Sequence, residues 1–418
     1  MRAIVSAAGV FLAVLMAAPG TLSQSVSNAP TGFTGSNGFA EQFCANQQTL
    51  VDSPNSPLIP DDECNFDAAA EEFTGPETTA DGLGPIFNAA GCGECHLVPT
   101  LGGGSQIVER RAGLFQNGVF TDHPGGSLLQ DRSTALGYQE IADQSRTNVV
   151  ALRSSLPLFG DGFVEAISNT VFQSIANAQP SSQRGQIINV PVLEKPGQTR
   201  IGRFGHKGQQ ASLVSFSADA YLNEMGITSP LQPDENTSNG RTVPKPPDAP
   251  TTEFDDEGVD VELFALFMRS TKAPPRAPNA GTSTVRDGED AFSDVGCAVC
   301  HTPSMVTVST NTLINGGALR VPSTLANKRI FPFSDFLLHD VATGDGIVQN
   351  GGQSTRNKVR TPALWGLRTR GRFMHDGLSF SLEDAIARHG NQAAAARSSF
   401  NALSGSRKSN LLAFLRSL

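Results

Sequence analysis

Cys92-Gly93-Glu94-Cys95-His96 and Cys297-Ala298-Val299-Cys300-His301 are two copies of one pattern, C-x-x-C-H. That pattern attaches c-type haem: the two thiols form thioethers to the haem, and the adjacent His becomes the proximal iron ligand. Cys92, Cys95 and His96 are therefore expected to hold one haem. Cys297, Cys300 and His301 are expected to hold a second. His96 and His301 are the iron ligands. Zinc is the weaker reading, because roughly 200 residues separate the two pairs and the His is duplicated. A thioredoxin-like dithiol is weaker too, since it needs one C-x-x-C at a helix start and no His.

Outward from these motifs, the remaining two cysteines are Cys44 and Cys64. The chain opens with Arg2, an apolar run from Ile4 to Met16 and then Ala17-Ala18-Pro19. This is a secretory leader, read over residues 1–24, with cleavage expected between 18 and 26. It is too short to span a bilayer, and no later stretch is long or apolar enough. The expected location is periplasmic, where Cys44 and Cys64 form a disulfide by default. They would staple a loop-rich segment, residues 25–76, worth about 3 kcal/mol in the chain-entropy picture. The 418 residues are 39% hydrophobic and 17% charged, which excludes wholesale disorder. A net charge of −9 argues against nucleic acid as a partner. Phe supplies 25 of the aromatic residues against two Tyr and one Trp, a scarcity of oxidisable rings that protection from self-oxidation and family drift explain equally well.

The chain also repeats itself. Gly82 to Gly91 before the first motif and Gly288 to Gly296 before the second each read as a short helix, with a Phe five residues ahead of the first Cys. Leu263-Phe264-Ala265-Leu266-Phe267-Met268-Arg269-Ser270 is matched by Leu411-Leu412-Ala413-Phe414-Leu415-Arg416-Ser417. Both read as apolar helices with a basic last turn. Ala273-Pro274-Pro275 then ends the first unit. Two haem-binding units follow, residues 77–275 and 280–418.

Further segments carry a resemblance. They include Gly102-Gly103-Gly104-Ser105, Val108-Glu109-Arg110, Arg203-Phe204-Gly205-His206-Lys207, Phe216-Ser217-Ala218 and Gly226-Ile227-Thr228. Downstream are Ser334 to Asp340, Arg360-Thr361-Pro362-Ala363-Leu364-Trp365-Gly366-Leu367, His375-Asp376-Gly377 and Ser381 to Ile386. With the two C-x-x-C-H motifs, they resemble the dihaem oxidoreductase, putative peroxidase family of the bacterial dihaem cytochrome c peroxidase superfamily, over about residues 75–418. His206 stands where that family usually carries Trp. The resemblance implies a mainly α fold of two cytochrome c-like helical domains, the first with a long loop-rich insertion containing short strands. It implies two covalently bound haem c groups and a calcium ion whose ligands are not assigned. The expected partners are a small oxidant, peroxide or dioxygen, and a redox protein such as a small cytochrome.

Individual residues extend the expectation. Leu382, Ala385, Ile386 and His389 share one helical face that begins at Ser381 and stops at Gly390. On pattern alone, His389 reads equally as an axial ligand or as a core His bonded to a backbone carbonyl. The resemblance favours the ligand, because relatives carry the axial group fourteen residues after the His of His-Asp-Gly, here His375. His301 and His389 are then the ligands of a low-spin relay haem, with His375 the second choice. For the first haem the sixth ligand is open among His206, His339, Met225, Lys207 or none. Glu109 and Arg110, with His206, are the candidate catalytic group. Arg203 and Arg360 are expected to grip haem propionates, and Trp365 to pass electrons between haems. A dihaem electron carrier, a haem dioxygenase and a thiol oxidoreductase using Cys44 or Cys64 are the competing functions.

Overall fold

Side-chain caps start several helices in the computed structural model, which describes residues 30–418. Asn65 accepts from Ala68 N, Ser212 from Ser215 N, Ser381 from Asp384 N and Ser404 from Arg407 N. Each satisfies a backbone donor that a first helical turn leaves open. Among the described residues the helices are α1 Phe39–Cys44, α2 Gln47–Leu50, α3 Phe66–Thr74, α4 Asp161–Glu165, α5 Asn169–Ala178 and α6 Leu213–Ala220. They continue with α7 Val259–Ser270, α8 Ser283–Asp294, α9 Leu382–Ala387, α10 Ala394–Ala402 and α11 Gly405–Leu415. The leader read over residues 1–24 lies outside the described residues.

Two helix crossings carry the haem motifs. Phe66, Ala69 and Phe73 share one face of α3, which packs on α7. There the Phe73 and Phe267 ring centroids are 4.5 Å apart. α8 packs on α11, with Phe292 and Phe414 centroids 5.2 Å apart. Cys92–Glu94 turns against α3, and Cys297–Val299 turns directly after α8. Phe73 then lies 6.2 Å from the His96 ring, and Phe292 lies 6.1 Å from the His301 ring. Gly288 lets α8 and α11 touch, because a Cβ there would stand 2.0 Å from Asn410 O. Gly288→Ala is expected to cost about 2–3 kcal/mol, since backbone and not a flexible side chain must move. A thermal-unfolding midpoint equal to the parent's would contradict this crossing.

Gly82–Gly91 corrects one expectation: it is extended, not helical. Gly82 and Gly84 have φ of 104° and 95°, and Ile86–Phe87 pair with Arg132–Ser133. Left-handed glycines flanking a proline cannot continue a helix. The helix of the first unit is α3, upstream, and its Phe73 takes the place expected of Phe87.

The mainly α fold class is also overturned. Helical turns of all kinds cover 32% of the described residues and strands 14%. Five two-stranded pieces accompany one three-stranded sheet, in which Val108–Gln116 pairs antiparallel with Val119–Asp122 and with Val149–Ser154. The physical cause is punctuation. With 42 Gly and 26 Pro, the long connections cannot form helices, and their backbone groups pair across short hairpins instead.

The larger core draws on Phe39, Phe43, Phe73, Phe204, Phe267, Phe336 and Trp365, and a smaller one on Val285, Phe292, Leu382 and Phe414. α1, α2 and α3 bring Phe39, Leu50 and Phe73 into the larger core, and Cys44 and Cys64 are bonded to each other. No helix of the described residues is long and apolar enough to cross a membrane.

Candidate active site

The second motif opens on a deep cavity holding about 1410 Å³ of space, its mouth included. Cys297, Cys300, His301 and His389 line it, with apolar walls from Phe292, Leu382 and Leu411. Ser381 caps α9, and His389 follows just past the helix end. The His301 and His389 ring centroids are 6.5 Å apart. A ring nitrogen sits about 2.0 Å from a first-row metal and roughly 1.2 Å from its own ring centre. Two imidazoles on opposite faces of one metal therefore put their centroids about 6.4 Å apart. Each His donates from Nδ1 to a backbone carbonyl, His301 to Phe333 O at 2.9 Å and His389 to Ala385 O at 2.7 Å. That leaves each Nε2 as a lone-pair donor. Burial keeps both neutral: it lowers His389 and, with the neighbouring His389, brings His301 down to about 4. This cavity fits a haem.

Cations line its wall. Arg360 donates to Gly205 O at 2.6 Å. Arg370, beside it, makes no side-chain hydrogen bond among the described residues. Burial brings both down to about 10, Arg370 with help from the Arg360 charge. Asp161 nearby is pushed up to about 8 by burial, so it does not cancel the charge at neutral pH. A pair of guanidiniums in an apolar wall suits anionic propionates.

His206 and His375 also line this cavity, their ring centroids 6.5 Å apart. His206 Nε2 bonds Ser154 O at 2.9 Å, and His375 Nε2 bonds Thr343 O. The His375 Nδ1 has no partner. His206 is lowered to about 3 by burial and by Arg153, so it is no proton donor at neutral pH. His339 bonds Asp335 at 2.7 Å, with Cys300 Sγ at 3.6 Å from its other nitrogen. Burial pushes the Cys300 thiol up, so this trio is not a nucleophilic one.

The first motif is built differently. His96 donates from Nδ1 to Gly103 O at 3.0 Å and is lowered by burial. Strand alternation sorts the charges of the sheet that follows it in the chain. Glu109 and Arg111 share one face of the central strand, and Arg110 points the other way. Arg110 is exposed, 3.8 Å from Asp131. Arg111 bonds Glu109 at 2.7 Å. Arg153, opposite Glu109 in register, lies 3.5 Å from it and is itself clamped to Asp345. Burial alone would raise Glu109, but Arg111 and Arg153 outweigh it and hold Glu109 low. Glu224 behaves oppositely: burial, then the Glu109 charge, push it up, while its Oε2 accepts from Asn88 at 2.9 Å. Asn88, four residues ahead of Cys92, also donates from its backbone N to Glu224 O at 2.7 Å, which ties Glu224 to the segment leading into the first motif. Glu224 was not among the residues singled out from sequence. Its signal was its place directly ahead of Met225-Gly226-Ile227-Thr228.

A family described as "Di-haem oxidoreductase, putative peroxidase" matches residues 139–418. The chain belongs to that family. The match takes in the second C-x-x-C-H and its cavity; the first motif lies ahead of it. No curated protein matches the chain. Among solved structures, it is similar to hydrazine synthase from Kuenenia stuttgartiensis, with 13% identity, a TM-score of 0.42, and 96% of this chain and 99% of that one covered. It is also similar to a MauG-like protein associated with microbial copper homeostasis, with 14% identity, a TM-score of 0.39 and coverage of 88% and 93%. The diheme peroxidase BthA from Burkholderia thailandensis has 16% identity, a TM-score of 0.37 and coverage of 88% and 92%.

Within this dihaem oxidoreductase, three expected roles are corrected. Arg110 lies outside the site, and Arg111 takes the inward position. Arg203 is fully buried and holds no propionate: it stacks on Phe172 at 4.8 Å and donates to Ile167 O, Ile201 O and Asn169. Trp365 does not line the haem cavity but a separate cleft.

Proposed function

We propose that this dihaem oxidoreductase is an exported c-type peroxidase with its labour divided between two haem units, residues 77–275 and 280–418. The N-terminal haem, attached through Cys92 and Cys95 above His96, is the reaction site. Cys297 and Cys300 would attach the C-terminal haem, His301 and His389 would offer it their imidazole nitrogens, and this haem would supply an electron relay. When bound, the first haem supplies an iron with a free face for a small oxidant. One asymmetry carries this reading. Each proximal ring has a Phe at about 6 Å, Phe73 for His96 and Phe292 for His301, but among the described residues only His301 is also met by a second imidazole, His389 at 6.5 Å.

The chain's own residues supply the proton chemistry. Glu224 keeps its proton at neutral pH, and its Asn88 contact fixes its orientation. Glu109 stays a carboxylate between Arg111 and Arg153. Glu224 can therefore hand a proton to a peroxide oxygen, and Glu109 can take one back. The sign of the pH dependence follows. A raised carboxyl is active below its pKa, so kcat/KM should fall as pH rises through it. Glu109→Gln removes the charge that helps raise Glu224 and should move that alkaline limb to lower pH. An alkaline limb that stays put in Glu109→Gln would separate the two carboxyls.

The direct test is peroxide-dependent oxidation of a small one-electron donor such as ferrocyanide by the purified holoprotein. Turnover with peroxide supports the proposal. Dioxygen consumption without peroxide would replace it with a dioxygenase, and neither activity would leave an electron carrier.

A further inference from the structure

A second cleft, of about 1240 Å³ on the same measure, shares no lining residue with the haem cavity. Lys272 and Arg276, in the linker after α7, line it together with Lys328 and Arg329. No Asp or Glu side chain lines it. Arg276 pairs with Glu289 at 2.7 Å. Lys272, Lys328 and Arg329 have no carboxylate partner among the described residues, and all three are exposed. Three basic side chains without a carboxylate partner leave the cleft positive. This runs against the chain's net charge of −9. Phe331, 54% exposed, stands at the mouth.

Trp365 lines the cleft and is 6% exposed. Gly160 allows its close seating: with φ at 75°, a Cβ there would stand 2.9 Å from the Trp365 ring. The neighbours of Trp365 face the other way. Pro362, Leu364 and Leu367 line the cavity of His301 and His389. One short stretch thus borders both the basic cleft and the haem cavity, with the chain's single Trp on the cleft side.

We propose that this cleft docks an acidic one-electron carrier protein, and that Trp365 is the contact through which its electron reaches the C-terminal haem. The proposal rests on reading that haem as the relay. One electron leaves the reduced carrier, which is oxidised, and reduces the relay iron from ferric to ferrous; no bond or proton moves. Charge complementarity selects the partner.

The test is stopped-flow reduction of the holoprotein's low-spin haem by flavodoxin hydroquinone, an acidic carrier, with photoreduced lumiflavin as a small neutral donor. The net charge of −9 alone would make the flavodoxin rate rise with salt. The cleft predicts a fall of about tenfold between low and high ionic strength, with the lumiflavin rate flat. The triple variant Lys272→Glu/Lys328→Glu/Arg329→Glu, all at exposed positions, should lose about tenfold in the flavodoxin rate at low salt and nothing with lumiflavin. Trp365→Phe should slow the saturated rate and leave the salt dependence intact. A flavodoxin rate that rises with salt, or that the triple variant leaves unchanged, would overturn the cleft. In that case normal lumiflavin reduction of a low-spin haem would still uphold the relay reading, and absence of a low-spin haem would remove that reading instead.

Discussion

Glu224→Gln is expected to lower peroxide turnover by about 10²–10⁴-fold, the usual worth of a positioned acid. Gln keeps the shape and still accepts from Asn88 through its carbonyl oxygen, but it has no proton to give. Both haem spectra should be unchanged, and the loss should fall on kcat as well as kcat/KM, because the missing step belongs to the chemistry and not to binding. The contrast with Glu109 sharpens the test. Glu109 is already ionised under Arg111 and Arg153, so Glu109→Gln should cost less and shift the pH profile more. A Glu224→Gln protein within about threefold of the parent would remove Glu224 from the proton chemistry.

The second large effect concerns His389. His389→Ala should abolish the low-spin signal of the C-terminal haem entirely and replace it with a high-spin one, because His389 is the imidazole that stands 6.5 Å from the His301 ring. His375→Ala should leave that signal in place. Its Nε2 is committed to Thr343 O, and its ring pairs with His206, not with His301. Reduction of the His389→Ala protein by a protein donor should slow by about tenfold or more, since loss of a strong axial nitrogen changes spin state and potential together. Low-spin character that survives His389→Ala and disappears in His375→Ala would reverse the assignment.

What the sequence made legible was local. Two C-x-x-C-H turns declare themselves by spacing. The His389 face is readable because Ser381, Leu382, Ala385 and Gly390 are close neighbours on one short helix. What it hid was long-range. Val108-Glu109-Arg110-Arg111 has no clean hydrophobic alternation, so its strand character was not visible, and Arg110 was chosen where Arg111 faces inward. Glu224 gains its proton from burial and from Glu109, a residue more than a hundred positions away. Arg203 looked like a haem anchor because it stands in a basic run, yet backbone carbonyls of residues 165–167 consume its donors. The helix before the first motif was misplaced because Phe87 copied the spacing of Phe292, while the structural counterpart, Phe73, precedes a longer loop. The strands that overturn the mainly α expectation are mostly two residues long, too short for a period to show.

The central claim is that one haem is open and the other closed. Electron paramagnetic resonance of the purified holoprotein, fully oxidised and half-reduced, tests it most directly. A high-spin ferric signal from the His96 haem is expected beside a low-spin signal from the haem served by His301 and His389. Two low-spin signals in the oxidised protein, with no high-spin signal appearing on half-reduction, would contradict it and leave a dihaem electron carrier.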